Sequence, residues 1–375
     1  MKIKLFLVLY FSFLLFFACS NNTEKLARTF QMRSAAIQTK YTPDKSIAVF
    51  EAQLDYQTDG DTWILRGETT DSAAYKSVLA LADSLLGKGN YAVAFRLMPY
   101  SYLGDSTYGI INRSVAHLRR QPRHAAELVD QAIMGDVVRL LKKDKDWYLV
   151  QTSYGYLGWM TRYSLVRVDR SGKQEWENSP RVRVTVLETF IYQKRDKNAF
   201  PVSDAVMNMT LRLIKKEANW TAVLLPDGRK GFIPSADVGQ LTADIKPTRA
   251  SIVRLAKRMT GIPYLWGGNS TKGNDCSGFT HTIYLAHGIN LPRDARQQAL
   301  VGEKITPLPD FSNVLPGDLL FFGSGERITH VGISLGGYDF IHQDRDVNIS
   351  SFNEQADNYN AFRKKTLKAV RRIIQ

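Results

Sequence analysis

Cysteine is almost missing from this chain. Among 375 residues the only two are Cys19 and Cys276. If the first is consumed during export, no disulfide can form within the chain, which excludes a small disulfide-stapled scaffold. No Cys/His cluster has metal-ligand spacing, so no structural zinc module, and no metal, is expected. Lys and Arg number 50 against 36 Asp and Glu, a formal charge of +14. They are scattered, however. No basic helix and no aromatic RNA-binding motif appears, so nucleic acid is not the expected partner. A mildly basic body that meets an anionic polymer or a membrane surface fits better. The length itself is too great for one core and implies several modules.

A run long enough to span a bilayer is also lacking. The apolar stretch from Leu5 to Phe17 is too short, and Lys2 and Lys4 before it make it a targeting segment over residues 1–19. Ala18-Cys19-Ser20 then resembles a bacterial lipoprotein cleavage site, with Cys19 as the lipidated residue. Phe16 departs from the Leu usual three residues before that cysteine. An ordinary secretory signal with a chance cysteine is the alternative. The expectation is an exported protein of the cell envelope, lipid-anchored to a membrane and facing the periplasm.

Residues 20–109 read as a tether followed by a helical segment. Residues 20–45 are polar, residues 46–68 are poorly periodic, and Asp71-Ser72 caps a helix to about Leu86. A repeat follows. Trp147 begins Trp-Tyr-Leu-Val with Gly158 eleven residues on; Trp220 begins Trp-Thr-Ala-Val with Gly231 eleven residues on. Val/Leu alternation precedes each tryptophan, so the spacing predicts two small β-barrels, at 110–170 and 181–242. They resemble bacterial SH3 domains; one large irregular β-domain is the alternative. After a short linker at Lys246-Pro247-Thr248, a helix with Ile252, Leu255, Ala256 and Met259 on one face precedes a Gly-rich turn, a second helix from Cys276 and then strands. The fold class is multidomain α+β, with two SH3-like barrels before a catalytic domain over 247–375.

Cys276 stands where that second helix begins, and the macrodipole there lowers a thiol pKa. Gly336-Gly337 signals a hairpin, and a turn centred there places His330 opposite His342 on one face. Gly332 and Ser334, on the same face, leave room for the helix start. Cys276, His330 and His342 thus offer a nucleophile, a base and an orienting group. A buried small cysteine, polar strand histidines or a zinc site are the blander readings.

The local sequences decide between them. Tyr264-x-Trp266-Gly267-Gly268, Asp275-Cys276-Ser277-Gly278-Phe279, Leu291-Pro292-Arg293-Asp294, Pro316-Gly317-Asp318-Leu319 and His330-Val331-Gly332-Ile333 resemble the NlpC/P60 cysteine peptidases over about residues 247–375. With two SH3 modules, the chain is similar to the γ-D-glutamyl-L-diamino acid endopeptidases, the dipeptidyl-peptidase VI group. That resemblance implies a papain-like core, no cofactor, and cleavage of the γ-D-glutamyl to diamino acid bond in murein peptides with a free N-terminal L-Ala. It implies catalytic roles for Cys276, His330 and His342. Tyr264 would line the site, Asp275 and Ser277 would hold the D-glutamyl unit, and Asp294 would meet the substrate amine. The backbone N–H of Cys276, with Tyr264, would form the oxyanion site. The family often has Ser after this Asp, and here it is Ala295. Glu127 and Tyr156 of the first SH3 unit would contact the substrate's N-terminal residue. Two other classes remain open: a wall-binding SH3 protein with a vestigial papain-like domain, and a thiol amidase or acyltransferase on another acyl substrate.

Overall fold

The computed structural model describes residues 3–241 and 247–375, with side chains from residue 22 onward. The readings of the leader side chains, Cys19 included, lie outside the described residues, as does Lys246 of the linker. The chain divides into two compact units, residues 1–104 and 105–375.

In the first unit, residues 20–45 are not a tether. Helix α1 runs over Ile3–Tyr41, and Leu26, Phe30, Ser34 and Ile37 recur at helical spacing, with Phe30 and Ser34 fully buried. Residues 46–68 also form structure. Phe50–Gln57 pairs antiparallel with Thr62–Thr69, and Tyr91–Leu97 joins in parallel beyond helix α2 (Ser72–Leu86). Phe50, Ala52, Leu54 and Tyr56 alternate; Trp63-Ile64-Leu65 breaks the alternation and hides the pair. Asp71 caps α2 by accepting from the Ala74 N–H at 2.7 Å. Among the described residues no helix is long and apolar enough to cross a membrane.

The second unit opens with two seven-stranded antiparallel sheets of the same design. In the first, Trp147 pairs with Thr161 and Val150 with Gly158. In the second, Trp220 pairs with Pro234 and Val223 with Gly231. The repeat in the sequence is therefore a repeat in register. Each glycine is required by close packing: a Cβ at Gly158 would meet the Leu118 Cβ at 2.7 Å, and one at Gly231 the Ile191 Cγ2 at 2.5 Å. The two barrels are fused. Ile133 and Met134 of the first enter the core of the second, and Thr210 donates its N–H to the Met134 carbonyl at 3.1 Å. Helix α3 (Arg170–Asn178) bridges them and buries Trp176, whose indole N–H reaches the Gly135 carbonyl at 3.0 Å.

Helix α4 (Arg249–Arg258) starts the remaining domain, with Thr248 and Ser251 capping each other's backbone. Helix α5 (Cys276–Ala286) packs against a six-stranded sheet ordered Glu303–Ile305, Leu367–Arg372, Leu319–Ser324, Arg327–Gly336, Asp339–Gln343, Val347–Ser351. Two short helices, α6 (Ala295–Gln298) and α7 (Ala361–Thr366), flank it. The core joins Ile252, Phe279, Ile283, Phe321, Val331 and Ile341 from helices and sheet. Met207 of the second barrel enters the same core, and Asn208 donates to the Thr282 carbonyl of α5 at 2.9 Å.

Because Trp176 fills the seam and makes a buried hydrogen bond, Trp176→Ala should cost about 3–5 kcal/mol. Urea unfolding measures it; a loss under about 1 kcal/mol would make α3 a surface connector.

Candidate active site

Cys276 is the first residue of α5, and its position is set by its two neighbours. Asp275 is the N-cap: its Oδ1 accepts from the Gly278 N–H at 2.8 Å. The helix start can press close to the preceding loop because residue 278 is glycine, where a Cβ would meet the Gly268 carbonyl oxygen at 2.0 Å. The thiol is buried and receives the backbone N–H groups of Val331 and Ser277. Burial nevertheless pushes it up to about 12, and the neighbouring Asp275 adds to the effect. The helix start does not produce the lowered thiol expected from the macrodipole, because desolvation of the thiolate outweighs it.

Beneath Cys276 lies Arg293, 2 % exposed. Its guanidinium is fully used. Nε donates to Asp130 at 2.6 Å; Nη1 donates to Asp275 and to the Ser277 hydroxyl, both at 3.0 Å; Nη2 donates to Asp275 at 2.7 Å and to the Gly268 carbonyl at 3.1 Å. Both residues flanking Cys276 are thus held by one cation, and that cation is held in turn by the first barrel. There Asp130 also receives the Tyr154 hydroxyl at 2.5 Å and the Asn269 amide at 3.2 Å. The Asp275 carboxylate accepts further from the Gly267 N–H at 3.1 Å and from the Ser277 hydroxyl at 3.2 Å. The structure gives Asp275 and Ser277 this internal role; their side chains face Arg293 and each other. Arg293 was legible only as a motif letter, since nothing local in the sequence marks a buried arginine.

His330 and His342 meet, but not in the expected register. His342 pairs across the ladder with Gly332, and His330 with Phe322. The turn is centred beyond Gly336, which pairs with Asp339, and the irregularity between Ser334 and Gly336 shifts the register by one residue, so the imidazoles are diagonal neighbours on one face. Nε2 of His330 lies 2.9 Å from Nδ1 of His342, with the rings perpendicular. Gly332 makes room for His342 itself, since a Cβ there would meet the His342 Cβ at 3.0 Å. The chain of contacts continues through residues the sequence did not suggest. Nε2 of His342 lies 3.0 Å from the Ser350 hydroxyl, which also receives the Asn360 amide at 3.3 Å. Burial holds His330 well below the usual imidazole value, with Arg363 and His342 adding; burial and Arg363 hold His342 at about 4. Arg363, at the end of the chain, is thus a second unforeseen neighbour. It stacks over Phe322, the cross-strand partner of His330, and pairs with Asp344 at 3.3 Å.

A cleft of about 410 Å³ opens over Cys276 and is lined by Tyr264, Asp275, Ser277, Asp294, Glu127 and Tyr156 among others. Tyr264, Asp294, Glu127 and Tyr156, from separate parts of the sequence, are therefore brought together with the thiol and its two neighbours. Glu127 is engaged: Arg120 donates to it at 2.6 Å and the Trp266 indole at 2.9 Å, and Arg120 holds its carboxyl below the usual range. Tyr156 is buried, and burial and the adjacent Asp294 hold its phenol well above the usual value. Asp294 caps α6 and pairs with Arg296 at 3.0 Å. The arrangement unites a buried nucleophile, two linked imidazoles and a charged cleft end, the equipment for acyl transfer to and from sulfur.

Comparison with known proteins agrees. Residues 261–371 match the NlpC/P60 family model, and residues 118–165 match the bacterial dipeptidyl-peptidase SH3 domain. The γ-D-glutamyl-L-lysine dipeptidyl-peptidase of Bacillus cereus is 32 % identical over 236 residues, which cover 59 % of this chain and 69 % of that one. The chain belongs to the NlpC/P60 family. Dipeptidyl-peptidase 6 of Lysinibacillus sphaericus is 28 % identical, covering 70 % of this chain and 97 % of its own. The crystal structure of an NlpC/P60 family protein from Bacillus cereus superimposes with a TM-score of 0.62 at 26 % identity, covering 71 % of this chain and 99 % of that one. This NlpC/P60 protein is a cysteine peptidase with an α+β catalytic domain and SH3-like barrels.

The depressed His342 has a consequence for stability. Between about 4 and the unfolded value of about 6.5, the unfolded chain binds a proton that the folded chain does not. Stability contributed by neutral His342 is complete above about 6.5 and is lost as pH falls toward 4. His342→Gln should therefore reduce the slope of unfolding free energy against pH by about 1.4 kcal/mol per pH unit in that window. Denaturant titrations across it test this; equal slopes would mean that His342 titrates normally.

Proposed function

We propose that this peptidase releases L-Ala-γ-D-Glu from murein peptides by cutting the bond between γ-D-glutamate and the following diamino acid. The observation that carries the proposal is the cleft, which Asp294, Tyr156 and Glu127 line together with Cys276. The activities named for the Bacillus and Lysinibacillus relatives support the same substrate class. Asp294, whose ion pair with Arg296 lies at the surface, suits a peptide that ends in an ammonium.

In this reading Cys276 is the nucleophile and His330 the base. With Nε2 of His330 turned to His342, its Nδ1 is the nitrogen for the thiol proton. That tautomer carries its own proton on Nε2 and donates it to Nδ1 of His342, which donates from Nε2 to Ser350. Thiol and imidazole rest neutral, so the proton moves to Nδ1 as sulfur attacks the γ-carbonyl carbon. The imidazolium then protonates the departing amine of the diamino acid, leaving a thioester on Cys276. Water attacks the thioester with His330 again taking a proton, and the carboxylic acid and thiol are restored. The backbone N–H of Cys276 and the Tyr264 hydroxyl are assigned to the oxyanion.

Peptides with free N-terminal L-Ala should be cleaved at least about tenfold better, in kcat/KM, than stems whose alanine is acylated, because the latter leave Asp294 facing an amide. Mass spectrometry of products from L-Ala-γ-D-Glu-meso-diaminopimelate and its N-acyl form tests this. Asp294→Asn should narrow the gap by slowing the free-amine peptide, and Cys276→Ala should abolish cleavage with the fold retained. Comparable rates on both peptides would show that intact wall is the substrate.

We also propose that the protein is exported and anchored in the envelope, facing the periplasm, by lipid on Cys19. The Lys2/Lys4 and apolar leader ending at Ala18-Cys19 supports this. One acyl chain binds a membrane only marginally, so stable anchoring implies more than one. The mature protein should fractionate with membranes and Cys19→Ala should move it to the soluble pool; identical fractionation would establish an ordinary secretory signal.

A further inference from the structure

The cleft over Cys276 carries two arginines, Arg120 and Arg296, and three carboxylates, Glu127, Asp275 and Asp294. Two of the carboxylates are committed. Asp275 is spent on Arg293 and the helix cap. Glu127 is held by Arg120 on one oxygen and by the Trp266 indole on the other. The remaining pair, Asp294 with Arg296, is partly exposed: its side chains are 27 % and 49 % exposed, and they meet at 3.0 Å. It is also rigidly placed. Ala295, between them, is buried in the same core as Cys276, so the pair frames the thiol from a fixed backbone.

A dipeptide of L-Ala-γ-D-Glu is a zwitterion at this end. Its ammonium and its α-carboxylate sit on consecutive α-carbons, about 3.8 Å apart, and the scissile γ-carbonyl lies two methylenes further on. The Ala295 side chain has no donor. The Ser277 hydroxyl gives its proton to Asp275 and accepts from Arg293. We infer that Arg296 binds the free α-carboxylate of the D-glutamyl residue, in a pair exchange in which the substrate ammonium replaces Arg296 on Asp294. This rests on the dipeptide reading above and sharpens it. Each charge in the cleft keeps an opposite partner before and after binding, so neither is left unpaired on the way. The enzyme is then specific for D-glutamate over D-isoglutamine, whose amide cannot accept a bidentate guanidinium pair.

The test compares L-Ala-γ-D-Glu-L-Lys with L-Ala-γ-D-isoglutaminyl-L-Lys on the full-length protein and on Arg296→Gln and Arg296→Lys. The wild type should favour the acid at least about tenfold in kcat/KM. Arg296→Gln should bring the two rates within about threefold, chiefly by slowing the acid, and Arg296→Lys should restore part of the preference. A wild-type ratio near one, or a ratio that survives Arg296→Gln, overturns the assignment while leaving the peptidase reading in place. Cleavage of neither peptide by the wild type overturns both.

Discussion

One guanidinium without access to water organises this site. Removing an arginine from water is costly, and the attraction of a carboxylate offsets that only when every donor is used. Arg293 meets the condition, with all five N–H groups accounted for by Asp130, Asp275, Ser277 and Gly268. Its acceptors come from three separate places: a barrel strand, the glycine loop and the two residues that flank Cys276. The position of the thiol is therefore a property of the whole second unit. Asp275, with both oxygens occupied, fixes the first turn of α5, and the first turn fixes Cys276.

That rigidity comes with burial, and burial decides the protonation state. A helix start contributes up to about 2 kcal/mol in favour of an adjacent anion. Holding the thiol at about 12 instead of the ordinary ~8.5 reflects roughly 4–5 kcal/mol against the thiolate. Desolvation wins. The same burial discharges both imidazoles, with Arg363 adding to it. Sulfur and nitrogen are thus both neutral at rest, and a charge pair is created only as the nucleophile attacks. The His330–His342–Ser350–Asn360 chain suits that regime. It orients a neutral base through directional hydrogen bonds and needs no carboxylate to hold an imidazolium.

How much of this was legible depends on the range of the signal. Local signals read through: the Asp71 and Thr248 caps, the eleven-residue Trp–Gly spacing, the thiol at a helix start and two histidines flanking a hairpin. The Trp–Gly spacing survives in sequence because the glycine lies opposite the residue three after the tryptophan in both barrels, where a neighbouring strand leaves no room for a Cβ. Long-range facts did not read through. The turn sits one to two residues beyond its expected centre and an irregularity near Leu335 restores the shared face, so the histidines are diagonal instead of opposed, and no residue there announces it. Ser350, Asn360, Arg363 and the burial of Arg293 are set by partners 8 to 163 residues away. Residues 20–45 looked like a tether because their apolar positions are sparse, yet Leu26, Phe30 and Ile37 suffice once a sheet and α2 supply the other side of the core.

The first barrel is best understood through one strand, Leu128–Ile133. Glu127, just before it, faces the cleft; Asp130 and Gln131, within it, face the Arg293 anchor and the glycine loop. Gln131 accepts from the Asn269 N–H at 2.9 Å and from the Ser270 hydroxyl at 3.0 Å. At Gly267 the loop comes so near this strand that a Cβ would lie 2.3 Å from the Leu128 carbonyl oxygen. One short segment therefore supplies both the wall of the cleft and the support of the nucleophile. A barrel acting as an independent wall-binding module would leave Asp130 and Gln131, here 0 % and 3 % exposed, facing water with their partners gone. Two residues buried to this degree, and joined by five hydrogen bonds to four groups of the catalytic domain, are the signature of a permanent interface. The barrel belongs to the peptidase site: the strand that buries Asp130 against Arg293 also brings Glu127 to the cleft over Cys276.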